Sequence, residues 1–482
     1  MNISRKLAVC AALASAVLAT ASIAATEQQK LDAINKGLAN LYQTQQPGGN
    51  WISSFGPGSY DDAPTGAALL AFMSQKDKWA TNTANYTTAV NKALAYLFST
   101  AITVPVSTRN DGKSICPGAA PSCTAVYWYG GGESSYTTGL IAPAIVTYVK
   151  GFNLPITAVA TTSGPLAGLT WGQIAQGITN TWSASQSTAV NPGGNLVGGW
   201  RYGLNDGYDS DMSTTQWGII SLIYDETLGA ITPAIVKTDL AKWLAFAQDP
   251  FSGAGCYQGP GSGICDHADT GGMLLGLKYL GNPITNTAVQ KALTFLNNNW
   301  TEDANGTWYG NFGHPYAMWG VYKGLEVNIG LNDTTTITNL KTTCGAPGNL
   351  PGNPVGSKPC NWWEDYNEWL VTNQNVDGSW NGYAYWTGPL ATAFDVSILG
   401  ATLIPPQGLC DAAAPIGQID KLDLALISKS RGQTPTTKDP RDANVDGKID
   451  PADVKVCIPK CTFTSCAVAL PQPTAALPIK GK

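Results

Sequence analysis

Apolar positions along the chain recur at helical spacing in paired segments, the first of each pair amphipathic and the second rich in small residues. In the first pair Leu31, Ile34, Leu38 and Leu41 fall on one face. The run from Thr65 to Phe72, Thr-Gly-Ala-Ala-Leu-Leu-Ala-Phe, opens the partner segment. The plan repeats with a period of roughly 45 to 70 residues, in further units of about 83–150, 168–227, 232–281, 286–329 and 361–402. Each unit reads as a helical hairpin joined by a loop rich in glycine and aromatic residues. Such a hairpin buries its apolar face only against its neighbours, so six in succession predict an all-α ring or solenoid over residues 26–405.

Two of the loops carry one pattern. Gln45 to Trp51 and Gln374 to Trp380 both read Gln-x-x-x-Gly-x-Trp, each between an amphipathic segment and a small-residue one. The glutamine amide can bond free backbone groups at helix ends, glycine allows a sharp reversal, and the indole packs over the glutamine and the next hairpin. Weaker versions stand in other units: Tyr127-Trp128-Tyr129-Gly130, Gly198-Gly199-Trp200, Gln248 with Gly255-Cys256-Tyr257, and Glu302 with Gly306-Thr307-Trp308. These stretches resemble the QW motif of the squalene-cyclase and protein-prenyltransferase repeat superfamily. The resemblance implies an α6/α6 toroid, terpenoid cyclase/prenyltransferase-like, with outer helices around inner ones. An open solenoid is the alternative. Complete motifs in the first and last units favour closure, since the two ends then meet as ordinary neighbours.

The N-terminus differs from this plan. Residues 1–25 combine Arg5 and Lys6, an apolar run from Leu7 to Ile23 and the small residues Ala24-Ala25, which reads as a cleaved export signal and a secreted protein. No later apolar run reaches about 18 residues, so no membrane insertion is expected. Removing the two signal charges takes the formal net charge from −5 to −7, which argues against nucleic acid and anionic membranes as partners. Charged residues make up 13% of the chain and hydrophobic ones 44%, a balance that buries a large core. Of 11 cysteines Cys10 lies in the signal, and the remaining even number suits an oxidising compartment. Local bridges are expected for Cys116–Cys123, Cys256–Cys265 and Cys344–Cys360. Cys410, Cys457, Cys461 and Cys466 leave three connectivities open.

In a toroid the loops and the starts of the inner helices form one rim around a central cavity, where the superfamily binds substrate. Aligning Thr65, Thr214 and Thr270 as helix-start threonines sets Asp62, Asp211 and His267 at one height, with Asp209 and His314 close by. His267 and His314 are the two histidines of the chain. The carboxylates have two readings: caps that satisfy free helix N–H groups, or the acid and base of glycosidic hydrolysis, which needs two carboxylates at a defined separation. The histidines are read as hydrogen-bonded rim residues, as proton-transfer groups or, helped by Asp266 or Asp269, as metal ligands. Around them runs a collar of Tyr127, Trp128, Trp200, Tyr202, Tyr257, Tyr309, Tyr385 and Trp386, with Glu133 and Arg201, that suits stacking on sugar rings. Trp51, Trp308 and Trp380 are assigned to motif packing instead.

The chemistries of the resembled superfamily fit poorly. Its prenyltransferases hold a catalytic zinc with Asp, Cys and His, and Cys265-Asp266-His267 is superficially similar to that set; oxidation of Cys265 with Cys256 would remove the thiolate. Diphosphate substrates need a cationic clamp, yet the toroid holds only Arg109 and Arg201 as arginines. Its triterpene cyclases protonate through Asp-x-Asp-Asp, and Asp209-Ser210-Asp211-Met212 lacks the final acid.

After Pro405-Pro406 the composition shifts. Residues 406–467 read as a small second module, and the Pro/Ala-rich stretch 468–482 as a disordered tail. Asp442 to Asp453 fits a twelve-position calcium loop: Asp442, Asn444, Asp446, Asp450 and Asp453 set oxygens at positions 1, 3, 5, 9 and 12, Lys448 offers its carbonyl at 7, and Gly447 turns the chain at 6. Upstream, Asp420-Lys421-Leu422-Asp423 repeats the end of such a loop, but Ala412 to Pro415 bring no oxygen side chains, so one calcium is expected. The pair resembles a dockerin, an EF-hand-like helical module that attaches secreted proteins to cohesin partners or cell-surface scaffolds.

The leading expectation is a secreted toroid protein that binds or processes an extracellular polysaccharide, by hydrolase or lyase chemistry, and docks through its calcium module. The alternative is a non-catalytic secreted binding or scaffold protein whose toroid grips glycan, lipid or peptide. An isoprenoid cyclase or transferase ranks below both.

Overall fold

The structure is a computed structural model that describes residues 25–458, 461 and 466, apart from positions 57, 59, 189–195, 205–208, 305–306, 342–360, 403–408, 414–418, 436–438 and 445. The signal, the tail and the Cys344–Cys360 bridge lie outside the described residues.

Six hairpins follow one another. The first is α1 (Glu27–Thr44) and α2 (Asp62–Ser74); the second is α3 (Thr83–Thr100) and α4 (Ser134–Gly151), with the ribbon β1 (Ile102–Val106) and β2 (Cys123–Tyr127) between them. The third is α5 (Trp171–Ser185) and α6 (Met212–Glu226). The fourth is α7 (Ala234–Ala247) and α8 (His267–Tyr279), enclosing the short strands β3 (Gly255–Cys256) and β4 (Cys265–Asp266). α9 (Thr287–Asn299) with α10 (Pro315–Ile329) and α11 (Trp362–Thr372) with α12 (Pro389–Leu399) complete the set.

The second helices form a closed inner ring, each packing on the next from α2 round to α12, and α12 packs on α2. Outside it, α1 lies against α12 as α3 lies against α2. The fold is therefore an α6/α6 toroid, and the open solenoid is excluded. Burial explains the two kinds of helix. On α1, Ile34, Leu38 and Leu41 are buried while Asp32, Asn35 and Lys36 face out, the pattern of a one-sided surface helix; Leu31 is half-buried. On α8 every residue except Lys278 is buried, because it has neighbours on all sides. Small residues let these inner helices approach: a Cβ on Gly271 would lie 2.3 Å from the Gly320 carbonyl carbon.

The motif works as a staple between outer helices. Gln45 Nε2 donates to the carbonyls of Gly49 and of Ala89 in α3, both at 2.9 Å. Gln186, Gln248 and Gln374 repeat this onto Val236, Ala288 and Ala33. Three residues further along each receiving helix, a carbonyl abuts the motif glycine: Gly49 (φ +97) faces Lys92 O and Gly378 (φ +87) faces Lys36 O, so any Cβ there would collide. The indoles of Trp51, Trp128, Trp200 and Trp380 donate to carbonyls near the end of the preceding outer helix. Their backbone N–H groups bond the hydroxyls of Thr65, Thr138, Thr215 and Thr392.

A second, separate core joins Cys410, Ile427, Ala443, Ile449 and Cys457 with α13 (Lys421–Lys429) and α14 (Pro451–Cys457). Disulfides among the described residues are Cys116–Cys123, Cys256–Cys265, Cys410–Cys457 and Cys461–Cys466. The last two resolve the connectivity left open by spacing. No helix among the described residues is long and apolar enough to cross a membrane.

Candidate functional site

The inter-helix loops and the first turns of the inner helices enclose a cavity of about 890 Å³ at one mouth of the ring, and all six hairpins contribute to its wall. Aromatic rings dominate that wall. Tyr316 and Trp386 stack with centroids 4.6 Å apart, and Tyr136 packs against Trp386 at 5.5 Å. At the entrance Phe55 and Tyr385 stack at 5.2 Å and 22°, both more than half exposed. Trp308 and Tyr309 are also exposed and line the cavity.

Three carboxyl residues reach this wall: Glu133 at the start of α4, and Asp266 and Asp269 at the start of α8. Asp266 caps α8, its Oδ1 accepting the Asp269 N–H at 2.9 Å. Burial pushes the Asp266 carboxyl up to about 6, against the pull of its backbone hydrogen bonds. Asp269 is driven well above the usual carboxylate range by burial first and then by the charges of Asp266 and Asp211. No described residue donates a hydrogen bond to the Asp269 side chain. The pair therefore titrates as a unit and retains a proton beyond the ordinary range.

A polar network backs the aromatic wall. Arg201 donates to Asp211 at 2.7 Å and to the Tyr257 hydroxyl at 3.0 Å. Tyr257 meets the Tyr202 hydroxyl at 2.7 Å. Tyr136 meets Ser213, which donates to Asp211 at 2.7 Å. Burial and the Asp211 charge push the Tyr257 phenol up, so it stays neutral.

Several expected site residues lie elsewhere. Asp211 is a buried cap of α6 that accepts the Thr214 N–H and pairs with Arg201. Asp62 accepts from Thr100 at 2.7 Å between α2 and α3, and burial raises its carboxyl to about 6. Asp209 accepts from Gln258. None of the three lines the cavity. His267 is buried with Nδ1 at 2.5 Å from Tyr309 O and Nε2 at 2.8 Å from Asn299 O, which leaves no nitrogen for a metal. His314 is buried behind Trp308 and Tyr316. Cys265 is oxidised, so the zinc set suggested by Cys265-Asp266-His267 has neither its thiolate nor its imidazole. Among the collar, Trp128 and Trp200 are buried motif tryptophans off the cavity wall, Tyr127 pairs in β2, and Arg201 stands behind Tyr257, donating to its hydroxyl. Glu133, Tyr202, Tyr257, Tyr309, Tyr385 and Trp386 do line the cavity. Trp308, a packing residue by its motif position, instead faces the cavity, 40% exposed.

The register explains the slip. The threonine equivalent to Thr65 and Thr270 is Thr215, since each of these hydroxyls donates to the carbonyl four residues back, at Asp61, Asp266 and Asp211. Asp211 thus matches Asp61 and Asp266, not Asp62 and His267. No motif marks Phe55 or Tyr136 as cavity residues, and the sequence singles out Asp269 only as a helper of the histidines in metal binding.

In the C-terminal loop Asp442 accepts the N–H groups of Asp446 and Gly447 at 3.1 and 3.0 Å, and Asp453 accepts that of Asn444 at 3.1 Å. Upstream, Asp423 accepts from Ala412, Ala413 and Asp420. Among the described residues no three His, Cys, Asp or Glu side chains are placed to hold a metal ion.

No protein-family model matches the chain, and no match is found among curated proteins. Solved structures do match. The type II terpene cyclase MstE from Scytonema is similar over 78% of this chain and 98% of its own, at 12% identity and a TM-score of 0.42. The GH76A alpha-1,6-mannanase from Salegentibacter sp. HEL1_6 is similar over 77% of this chain and 98% of its own, at 10% identity and a TM-score of 0.47. An inactive variant of that mannanase in complex with alpha-1,6-mannotetrose gives 78%, 98%, 10% and 0.46 for the same quantities. The likeness is one of helical architecture, and no chemistry follows from it.

Proposed function

We propose that the mouth cavity binds a stretch of extracellular polysaccharide and cleaves it by acid–base chemistry, with Asp269 as proton donor. The observation that carries this reading is the Asp266–Asp269 pair, a buried carboxyl couple on a cavity wall that keeps a proton where an ordinary carboxylate has lost it. Glycosidic cleavage needs one protonated carboxyl and one ionised carboxylate. Asp269 gives its proton to the departing glycosidic oxygen; Glu133, at the cap position of α4, serves as the carboxylate that activates water or attacks the sugar carbon. Aromatic walls stack on sugar faces, and the hydroxyls of Tyr202, Tyr257 and Ser213 can exchange hydrogen bonds with sugar hydroxyls.

Mass spectrometry after incubating the full chain with a panel of polysaccharides tests this. Shortened oligosaccharides from the native protein and none from Asp269→Asn support it, and an unsaturated end would make the reaction a lyase one. Polymers that bind but return intact would reduce the site to a binding ring.

A second reading rests on a different observation. Trp386 stacks on Tyr316, Trp217 and Phe394 at 4.6, 6.1 and 5.8 Å, a wall of π faces beside a protonated acid. Such faces stabilise cations, and the acid could protonate an alkene. A cyclised product from a linear polyprene would select this reading over the first.

We propose in addition that the protein is exported, and that residues 406–467 bind one calcium ion through Asp442, Asn444, Asp446, Lys448, Asp450 and Asp453 and dock to a cohesin-like or cell-surface partner. The support is the oxygen pattern of the loop, its hard-donor chemistry and the disulfides.

A further inference from the structure

We infer that His314 is a ligand-contacting residue screened by the indole of Trp308, which swings aside so that a hydroxyl of the bound glycan pairs with the imidazole; this rests on the glycan reading above.

His314 stands at the cap position of α10, where α6 and α8 have Asp211 and Asp266, yet its side chain caps nothing. It has no exposed surface, and neither ring nitrogen has a hydrogen-bond partner among the described residues. A buried polar ring without partners is worse for folding than an apolar side chain of similar size. The other histidine shows the contrast: carbonyl oxygens stand 2.5 and 2.8 Å from the two ring nitrogens of His267, so whichever nitrogen carries the proton has an acceptor. The cost of His314 therefore calls for a state in which its nitrogens are used.

Three rings enclose it: Tyr383 at 4.7 Å, Trp308 at 4.9 Å and Tyr316 at 5.9 Å. Tyr316 is held by its hydroxyl to Ser213 O and Gln216, and Tyr383 is half-buried in a turn closed by two backbone hydrogen bonds with Trp386. Trp308 is the loose member: it is partly exposed, it lines the cavity, and its indole N–H has no partner among the described residues. His267 pins the next residue, Tyr309, through its carbonyl, so the movement required is a side-chain swing and not an opening of the loop. Burial holds the His314 ring down to about 3, so it is neutral under ordinary conditions. A neutral imidazole offers one donor and one acceptor, which matches a sugar hydroxyl, itself both.

The test uses the full chain and diethyl pyrocarbonate, which acylates accessible neutral imidazoles, read by peptide mass spectrometry. His314 is expected to react about tenfold faster than His267, because local opening frees the first and not the second. Trp308→Ala and Trp308→Leu should each raise the His314 rate further, and a glycan that binds should lower it. The inference is overturned if His314 reacts no faster than His267, if neither folded Trp308 variant changes its rate, or if a glycan seen to bind by calorimetry leaves it equally reactive. If no glycan binds, the glycan reading fails, while the first two comparisons still decide whether Trp308 screens a reachable His314.

Discussion

Gln374 Nε2 donates to the carbonyl of Ala33 at 2.8 Å, across 341 positions of sequence, and so ties the last hairpin to the first. Gln45 makes the same bond to Ala89 inside the ring. If the seam is an ordinary joint, Gln374→Ala and Gln45→Ala should cost about the same, roughly 1–3 kcal/mol each in urea unfolding, because each leaves partly buried carbonyls with one donor fewer. A loss at Gln45 with none at Gln374 would mean that the ring is open in solution.

The Asp266–Asp269 pair gives a signed pH prediction. Asp266 keeps its proton up to about 6 and Asp269 keeps its own well above the usual range, whereas both ionise near 3.8 when unfolded. Above that value the native state binds more protons than the unfolded state, so stability falls as pH rises from about 4 through 6 and beyond. Asp269→Asn removes its share of this penalty: its melting temperature should exceed the native one at pH 7, and the gain should vanish below about pH 4. Turnover should drop by about 10²–10⁴-fold, the usual worth of a proton donor, and native turnover should decline at alkaline pH as the pair ionises. Asp62→Asn is the control. Asp62 is also raised to about 6, yet among the described residues its carboxyl bonds Thr100 alone, outside the cavity, so this variant should gain stability at pH 7 and leave turnover unchanged.

The staples were legible where loop length kept Gln and Trp six residues apart, as in Gln45–Trp51 and Gln374–Trp380. Gln186 escaped because its loop extends the spacing to Trp200 to 14 residues. The site was harder to read, since Ser213-Thr214-Thr215 offers two threonines and the choice of Thr214 turns the comparison by about 100° of helix. That rotation sets Asp62 and His267, in place of Asp61 and Asp266, level with Asp211. Asp269 differs from an ordinary first-turn acid only through the burial that folding imposes, which depends on neighbours far away in sequence. Trp308 shows the same limit: its triplet looks like the motif, but the fifth unit uses Asn311, which donates to Trp300 O at 3.0 Å and accepts from Tyr366, in place of the glutamine staple.

The entrance platform joins Phe55 of the first hairpin to Tyr385 of the sixth, and Ser54 Oγ fixes the two turns by donating to the Tyr385 carbonyl at 3.1 Å. Both rings are exposed, so removing either should leave folding intact. Phe55→Ala and Tyr385→Ala should each weaken glycan binding by about 1 kcal/mol, roughly fivefold by calorimetry, with unchanged melting temperature. Unaltered affinity in both variants would take the entrance out of the binding path.

The two C-terminal loops predict one calcium per chain rather than two. Asp450 and Asp420 cap α14 and α13 in the same way, each with an acid three residues on that bonds back to the cap backbone. The final acids also behave alike, Asp423 accepting from the N–H groups of Ala412, Ala413 and Asp420 and Asp453 from those of Asn444 and Asp450, so the loops diverge only ahead of them. Upstream side chains from Ala412 to Pro415 add no oxygen, whereas Asp442, Asn444 and Asp446 supply three ahead of Asp453. Calorimetric titration should therefore give a stoichiometry of one, lost in Asp442→Ala and in Asp446→Ala and kept in Asp423→Ala. Calcium at about a hundred times its dissociation constant should stabilise the module by ~2.7 kcal/mol, a gain that a chelator abolishes. Because this small core is separate from the toroid core, chelation should lower only the module's unfolding transition and leave polysaccharide turnover as it was. Two ions bound, or a toroid that melts earlier without calcium, would contradict this division of labour.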